Sequence, residues 1–510
     1  VSSLLTYVAA TTTLAPGDVA FVGFATDSPD AFAFVTFVDL AAGTEVYFTD
    51  RGWGDTDFAG PSESEVLYTA PLGGLPAGSV AAFDEGAPIP PEFSVLRGTV
   101  SLSTSGDSIM AYQRSGDTVT PVFLLDMTGG WEEPEDVTTA ARCALPPTLI
   151  DGVTAVTFSH SDNLWYRPWY STSAVLDTLK EWMTMRDRFW VTSSSSNRQN
   201  YYALPSSFRI LSGSRGANGN TEYIPGTADC VILTGHDGEL SPDAIDDREH
   251  GCVVDGECVW DKACAPKSSG SCRAVTLNDE NTMDMARRAA DAFEDATGSR
   301  CHLVVNRLAR VKLDVNREED QAVQGDATAL ETYNDFHAFA SAATAAVTGS
   351  ACGRGVVIDF HGHGHPEGRI ELGYKLTDSN LRETDAVLDT KTHSTSIRAL
   401  DTHSSDTLSE LVRGSGSLGA LFEAPTAFNS SGYISVPSPT IPAPTAGESY
   451  FQGGYNIEVH GSEDGGTVDA VQIEFPRWLR ANNWDSQADV VAAFGSTVLP
   501  AFLTQHYCGV

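Results

Sequence analysis

The sequence predicts a multidomain protein, an N-terminal all-β sandwich followed by an α/β domain with a mixed, mainly parallel sheet. Three observations predict it. Up to about residue 212, short runs rich in β-branched and aromatic residues recur between turns. From about residue 223, apolar strands alternate with amphipathic helical segments. Between them the polar stretch LSGSRGANGNTEY, 211–223, breaks both patterns and marks the boundary. The chain has 510 residues, 41% of them hydrophobic, with 46 Gly and 25 Pro, enough core and turn material for domains at 1–212 and 223–510.

In the first domain the expected strands are DVAFVGFAT, AFAFVTFVDL, TEVYFTDRGW, VAAFDE, SLSTSGDSIMAYQ, TPVFLLDM and VTAVTFSH. The alternation Ala31-Phe32-Ala33-Phe34 is the pattern of a half-buried strand, and the spacing of the runs suits a sandwich. No helical period precedes residue 173; VLDTLKEWMTMRDRFW then predicts one short helix with Leu176, Leu179 and Trp182 on one face. The cluster Trp165-Tyr166-Arg167-Pro168-Trp169-Tyr170 is expected to pack in a core, a sugar-binding platform being the other reading.

The second domain should open with the buried strand VILTG, 231–235, and continue with a helix at 281–296 and the strand CHLVV. A long helix near 330–347 follows from Leu330, Tyr333, Phe336, Phe339, Ala343 and Val347, which recur at three and four. VVIDF, 356–360, is a second buried strand, and the Pro-rich stretch 435–445 a loop.

Charge and cysteines bound the function. Acids outnumber bases 68 to 31, the net charge is -37, and only six of the bases are Lys. A nucleic acid or an anionic membrane is therefore excluded as partner, because both need clustered Lys and Arg. Of nine Cys, four fall at 252, 258, 264 and 272, in an insertion at about 250–275 with few apolar residues and no C-x-x-C pair. That pattern favours disulfides over a zinc cluster and places the protein outside the cytosol. With no initial Met, cleavable leader or transmembrane run, the expectation is a mature, soluble, secreted form in which one Cys is unpaired or bridges to another chain.

The chemistry-bearing residues collect at strand exits of the second domain, where open α/β sheets bind ligands. His236 and Glu239 follow the first strand, and His361, His363 and His365 alternate with Gly after the next. His236, Glu239 and His361 would hold a metal and leave a fourth position for water. Between them Arg310, Asn316 and Arg317 suit a substrate carboxylate and a polarised carbonyl. Glu474, inside the apolar run Val471-Gln472-Ile473-Glu474-Phe475, is the candidate general base.

Taken in order, these motifs resemble the N-formylglutamate amidohydrolases, relatives of the zinc carboxypeptidases. The resemblance spans His236 to Glu474: the His236/Glu239 exit, R-x-x-x-D-x-N-R from Arg310 to Arg317, D-x-H at Asp359 and His361, and G-G-x then Q-I-E at Gly453, Gly454, Gln472 and Glu474. It implies zinc on His236, Glu239 and His361, substrate carboxylate and carbonyl on Arg310, Asn316 and Arg317, and water activation by Glu474. The chain departs from the pattern at Gly362, where Ser is usual, at His460, where Tyr is common, and in the added His363 and His365, which reshape the pocket and make His363 a substrate-binding candidate. The first domain is similar, more loosely, to lamin-tail-like sandwich domains, through GDVAFVG at 17–23 and TEVYFTDRGW at 44–53.

The expected function is thus a secreted, zinc-dependent hydrolase of amide bonds, acting on an N-acyl amino acid or a peptide end with a carboxylate. In the expected mechanism Glu474 takes the proton of water while Arg310 or Arg317 stabilises the oxyanion and the other holds the carboxylate. Two rivals stand beside it. One is an extracellular assembly or adhesive protein that self-associates and uses an inactive hydrolase-like fold. The other is a calcium-dependent carbohydrate-binding protein, resting on the Trp cluster and Asp-rich loops such as 50–57.

Overall fold

In a computed structural model, the structure describes residues 10–54, 57–59, 63–137, 142–159, 162–167, 170–193, 204–481 and 484–509. The chain divides into two compact units, Val1–Leu211 and Ser212–Val510.

In the first unit five antiparallel strands lie in the order Trp190–Ser193, Asn163–Tyr166, Val19–Ala25, Ala31–Thr36 and Val80–Asp84. Six more run Phe93–Arg97, Glu65–Thr69, Glu45–Thr49, Ser108–Ser115, Thr118–Asp126 and Ala155–Thr157, antiparallel except for the last pair. Rings from the two sheets meet: Phe21, Phe32 and Phe34 lie 5.9, 4.8 and 4.9 Å from Phe48. Such aromatic pairs add to the burial of their own large apolar area.

Ala31–Thr36 is buried along its whole length rather than on alternate residues. It is an inner strand of its sheet, paired along both edges, and its alanine face is as fully buried as the phenylalanine face that meets Phe48. Trp165 and Tyr166 are buried, which makes them core residues and not a surface platform; Pro168 and Trp169 lie outside the described residues, as do residues 55 and 56 of the Asp-rich loop. The short helix forms at Leu176–Trp182, with Leu179 and Trp182 buried, after a strand Ser173–Val175 that pairs in parallel with Arg209–Leu211.

The second unit is built on a mixed eight-stranded sheet. Its order is Ser214–Arg215, Thr221–Ile224, His302–Asn306, Cys230–Thr234, Gly355–His363, Val468–Pro476, Ile370–Gly373 and Ser435–Val436. The four strands from His302–Asn306 to Val468–Pro476 are mutually parallel. Val231, Leu233, Val304 and Val357 pack with Tyr333, Phe336, Ala340 and Ala343 of the helix Ala327–Thr348. Phe360, three residues beyond Val357 and so on the opposite face, touches Phe494 of the C-terminal helical run at 5.4 Å.

That run, 485–506, is long and apolar enough to cross a membrane by length and composition, and more than half of it is buried. Its apolar residues serve the core: a Cβ on Gly495 would come within 2.4 Å of the Ala289 carbonyl oxygen, so glycine permits close approach to the helix Thr282–Thr297.

Four disulfides tie the second unit: Cys230–Cys301, Cys252–Cys264, Cys258–Cys272 and Cys352–Cys508. Two of them staple the Cys-rich insertion, whose only regular structure is the hairpin Cys252–Val254 and Glu257–Val259. Cys143, in the first unit, is the unpaired thiol, buried and accepting hydrogen bonds from the Trp53 N–H and the Ser108 hydroxyl.

Candidate metal centre

Three neighbouring parallel strands deliver the site at their C-terminal ends. His236 lies two residues beyond Cys230–Thr234, His361 is inside Gly355–His363, and Glu474 on Val468–Pro476 stands directly opposite His361. Asp359 and His361 share one face of their strand by the two-residue alternation, which lets their side chains meet.

The two imidazoles present the same nitrogen to one carboxylate. Nδ1 of His236 lies 3.1 Å and Nδ1 of His361 lies 3.2 Å from Oδ2 of Asp279, with ring centroids 4.5 Å apart. The edges of a zinc tetrahedron with bonds of about 2.0–2.1 Å are roughly 3.3 Å long, so these donors already stand near ligand spacing. Each outer nitrogen meets a buried acid: Nε2 of His236 lies 2.6 Å from Asp314 Oδ1, and Nε2 of His361 lies 2.8 Å from Asp359 Oδ2. Carboxylates behind imidazoles fix ring orientation and raise ligand basicity, as behind metal-bound histidines. Asp279 is itself pinned: its N–H donates to the His236 carbonyl at 3.0 Å, and its Oδ1 accepts from Arg310 Nη1 at 3.2 Å. The donor set, buried and convergent, fits a divalent ion of the zinc class.

Electrostatics follow the pairing. Burial pushes the Asp279 carboxyl up, yet its bonds to His236 and His361 and the charges of His236 and Arg310 hold it far below the usual carboxylate range. Asp314 is held down likewise, Arg310 and His236 outweighing its burial. His361 is held well above the ordinary imidazole value, the Asp359 charge and its hydrogen bonds overcoming burial. These are the signs expected of carboxylates and imidazoles paired with one another and with Arg310.

Glu239 does not join the histidines, a correction to the expected ligand set. Its Oε1 accepts from Arg307 Nε at 3.0 Å, and both side chains are fully buried. The cause is the turn at Gly238, where a Cβ would lie 2.2 Å from the Leu308 carbonyl oxygen. The chain there closes on 307–308 and sends Glu239 to Arg307. Asp279 instead stands between the two rings.

Except for His363, the remaining expected residues fall around one cavity of about 160 Å³, lined by His236, Asp279, Arg310, Asn316, Arg317, His361 and Glu474 among others. Glu474 accepts on Oε1 from the Gln472 amide Nε2 at 2.9 Å, while its buried Oε2 has no hydrogen-bond partner. Burial pushes its carboxyl up to about 8, against the pull of His361. Arg310 is held by carboxylates on both sides, its Nε donating to Asp314 at 3.0 Å and its Nη1 to Asp279. Arg317, half-buried, donates from Nη1 to the Asn316 carbonyl at 2.6 Å and forms no ion pair among the described residues. Asn316 braces the site, donating to Gln472 Oε1 at 3.3 Å, lying 3.2 Å from His361 Nε2, and accepting the Asn456 N–H at 2.7 Å. A Cβ at Gly454 would lie 2.5 Å from the Asn316 amide, so the second glycine of the G-G pair leaves it room. His363 stands outside this cavity, in the wall of a neighbouring one.

Sequence reasoning missed Asp279 and the bracing roles of Asp314 and Asp359. Both bracing acids stand in recognisable patterns, Asp314 four residues after its partner Arg310 and Asp359 two before His361. Asp279 lies 43 residues from His236, beyond the Cys-rich insertion, and no local period points to it. A larger hollow of about 840 Å³, lined by 381–385, 409–410, 413–414 and 442–446, contains no histidine or cysteine, and its Arg413 pairs with Asp385. No family of known proteins, no curated protein and no solved structure matches the chain.

Proposed function

We propose that the chain is an extracellular, zinc-dependent hydrolase of amide bonds, a β-sandwich joined to an α/β hydrolase-like domain of the amidohydrolase and carboxypeptidase kind. The observation that carries this reading is a buried carboxylate with an unpartnered oxygen, Glu474, in the same small cavity as the His236–Asp279–His361 donors. The four disulfides support an oxidising compartment.

A bound zinc ion supplies Lewis acidity toward a carbonyl and toward water. The chain supplies the rest. Glu474, in its ionised form, takes a proton from water as the new C–O bond forms at the amide carbon. It then gives that proton to the nitrogen as the C–N bond breaks, leaving a carboxylic acid and an amine. Arg317 is the cation free to meet a substrate carboxylate or the oxyanion; Arg310, committed to Asp279 and Asp314, positions those acids.

The test joins metal content to activity. Elemental mass spectrometry of protein equilibrated with zinc should find an ion that His236→Ala loses, and a screen of N-acyl amino acids and peptides should find a substrate. Glu474→Gln should keep the ion and lose about 10²–10⁴ in kcat. Absence of an ion sensitive to His236, with zinc supplied, would sink the reading.

An assembly role for the first unit has its own support. The edge strand Phe93–Arg97 exposes Ser94, Val95, Leu96 and Arg97 and ends its sheet, as a strand open to pairing does.

A further inference from the structure

We propose that His363, His365 and Glu371 form a second divalent-cation site beside the first. Its existence stands on its own donor geometry; any part in the reaction rests on the function proposed above.

The donors converge as the first set does. Nδ1 of His365 lies 2.8 Å and Nδ1 of His363 lies 3.8 Å from the same oxygen, Oε1 of Glu371, and the two rings are 4.8 Å apart. All three ligand atoms lie within 4.8 Å of one another. Two imidazoles and a carboxylate are donors that zinc and its transition-metal neighbours take in preference to calcium or magnesium.

Each donor is aimed by its far side. His363 donates from Nε2 to the Arg369 carbonyl at 2.9 Å, which fixes the tautomer that leaves the Nδ1 lone pair facing the cluster. Oε2 of Glu371 accepts the Phe451 N–H at 2.8 Å, leaving Oε1 for an ion. The His365 ring stacks on Phe451 at 4.6 Å. His363 and Glu371 are buried and His365 is half-exposed, at the wall of a cavity of about 410 Å³. That cavity shares Val275, Asp279, Arg310, Gly362 and Phe451 with the one at the first centre, so open coordination positions have an entry path.

The strand explains why two sets coexist. His361 and His363 point to the same side of Gly355–His363 and are two residues apart, about 6.6 Å along the strand. One histidine therefore serves each set, and Glu371 stands opposite Glu474, itself opposite His361.

An ordinary polar cluster is the competing account, and one contact favours it. The His365 N–H donates to Nδ1 of His363 at 3.0 Å, a bond that an ion must displace. Binding at the second site should accordingly be weaker than at the first, and its ion the first to leave on dialysis.

The experiment is equilibrium dialysis of the full chain against a buffered series of free zinc, with ions per chain counted by elemental mass spectrometry and the absorption spectrum recorded with cobalt(II) in parallel. The expected result is two ions per chain in two steps. His365→Gln, at a half-exposed position that tolerates the change, should remove only the weaker step, and His236→Ala only the tighter one. Glu371→Gln should repeat the His365 result provided its thermal melt matches the parent. One ion per chain, retained by His365→Gln and lost from His236→Ala, would overturn the second site and leave the first standing. No ion at any zinc concentration would overturn both.

Discussion

The two units bury carboxylates in different company. In the first, Asp107 accepts the N–H groups of Ser103 and Ser108, both at 2.8 Å, Asp50 accepts that of Ser64 at 2.8 Å, and Asp126 that of Thr128 at 3.0 Å. None of these three acids forms an ion pair among the described residues. In the second unit Asp279, Asp314 and Asp359 meet imidazoles, and the first two also meet Arg310. All six acids are buried, yet only the second set converges on a cavity with an unpartnered Glu474 oxygen. An acid satisfied by amides closes a loop, whereas one satisfied by ring nitrogens beside an opening has the donors that a cation would need.

The largest way to sharpen the contrast is to cut the covalent ties that only the second unit has. Cys352–Cys508 closes a separation of 156 residues, and loop entropy assigns such a bridge about 5 kcal/mol. A Cys352→Ala, Cys508→Ala variant should lose stability of that order in the second unit alone. Peptide-resolved hydrogen exchange reads the units separately; equal loss of protection in 18–126 would break the distinction.

A smaller effect tests the acids directly. Asp314→Asn should weaken zinc binding about 10–100-fold, the usual cost of losing a carboxylate behind a metal-bound histidine. Asp107→Asn, equally buried in the first unit, should leave zinc affinity where it was. A zinc titration of the two variants decides it, and equal affinities would show that Asp314 is no more than packing.

Much of this was legible in the sequence because it rests on local pattern. The Tyr333, Phe336 and Ala343 spacing announces the helix Ala327–Thr348, and apolar runs announce Cys230–Thr234, Gly355–His363 and Val468–Pro476. His236, His361, Arg310, Asn316, Arg317 and Glu474 all reach one cavity, since strand exits in a parallel sheet gather at one end. What failed to show depends on contacts distant in the chain. Glu239 looked like a ligand by proximity to His236, and only the closure of Gly238 on 307–308 turns it away. Asp279 looked like any loop acid, and only the fold brings it between two rings. The full burial of Ala31–Thr36 was hidden in the same way, because alternation reports that faces differ and not that both are covered.

The smallest effect separates the acids by pH. Burial, helped by the charges of Asp50 and Glu63, raises the Asp107 carboxyl from 3.8 to about 8, the main-chain bonds only partly opposing it. The folded first unit therefore keeps a proton that the unfolded chain has already lost, and each rise in pH between about 4 and 8 costs stability, with no further change outside that window. Asp50 and Glu63 are raised by their own burial, so they act with the same sign. The first unit should melt lower at pH 8 than at pH 5. Asp107→Asn, which cannot ionise, should show a shallower slope and retain the part due to Asp50 and Glu63. Exchange rates of peptides from Ser108–Ser115 and Thr118–Asp126 across this range are the measurement. Identical slopes in parent and variant would mean that Asp107 ionises alike in both states, and amide company would then be as good a host for a charge as the imidazoles of the second unit.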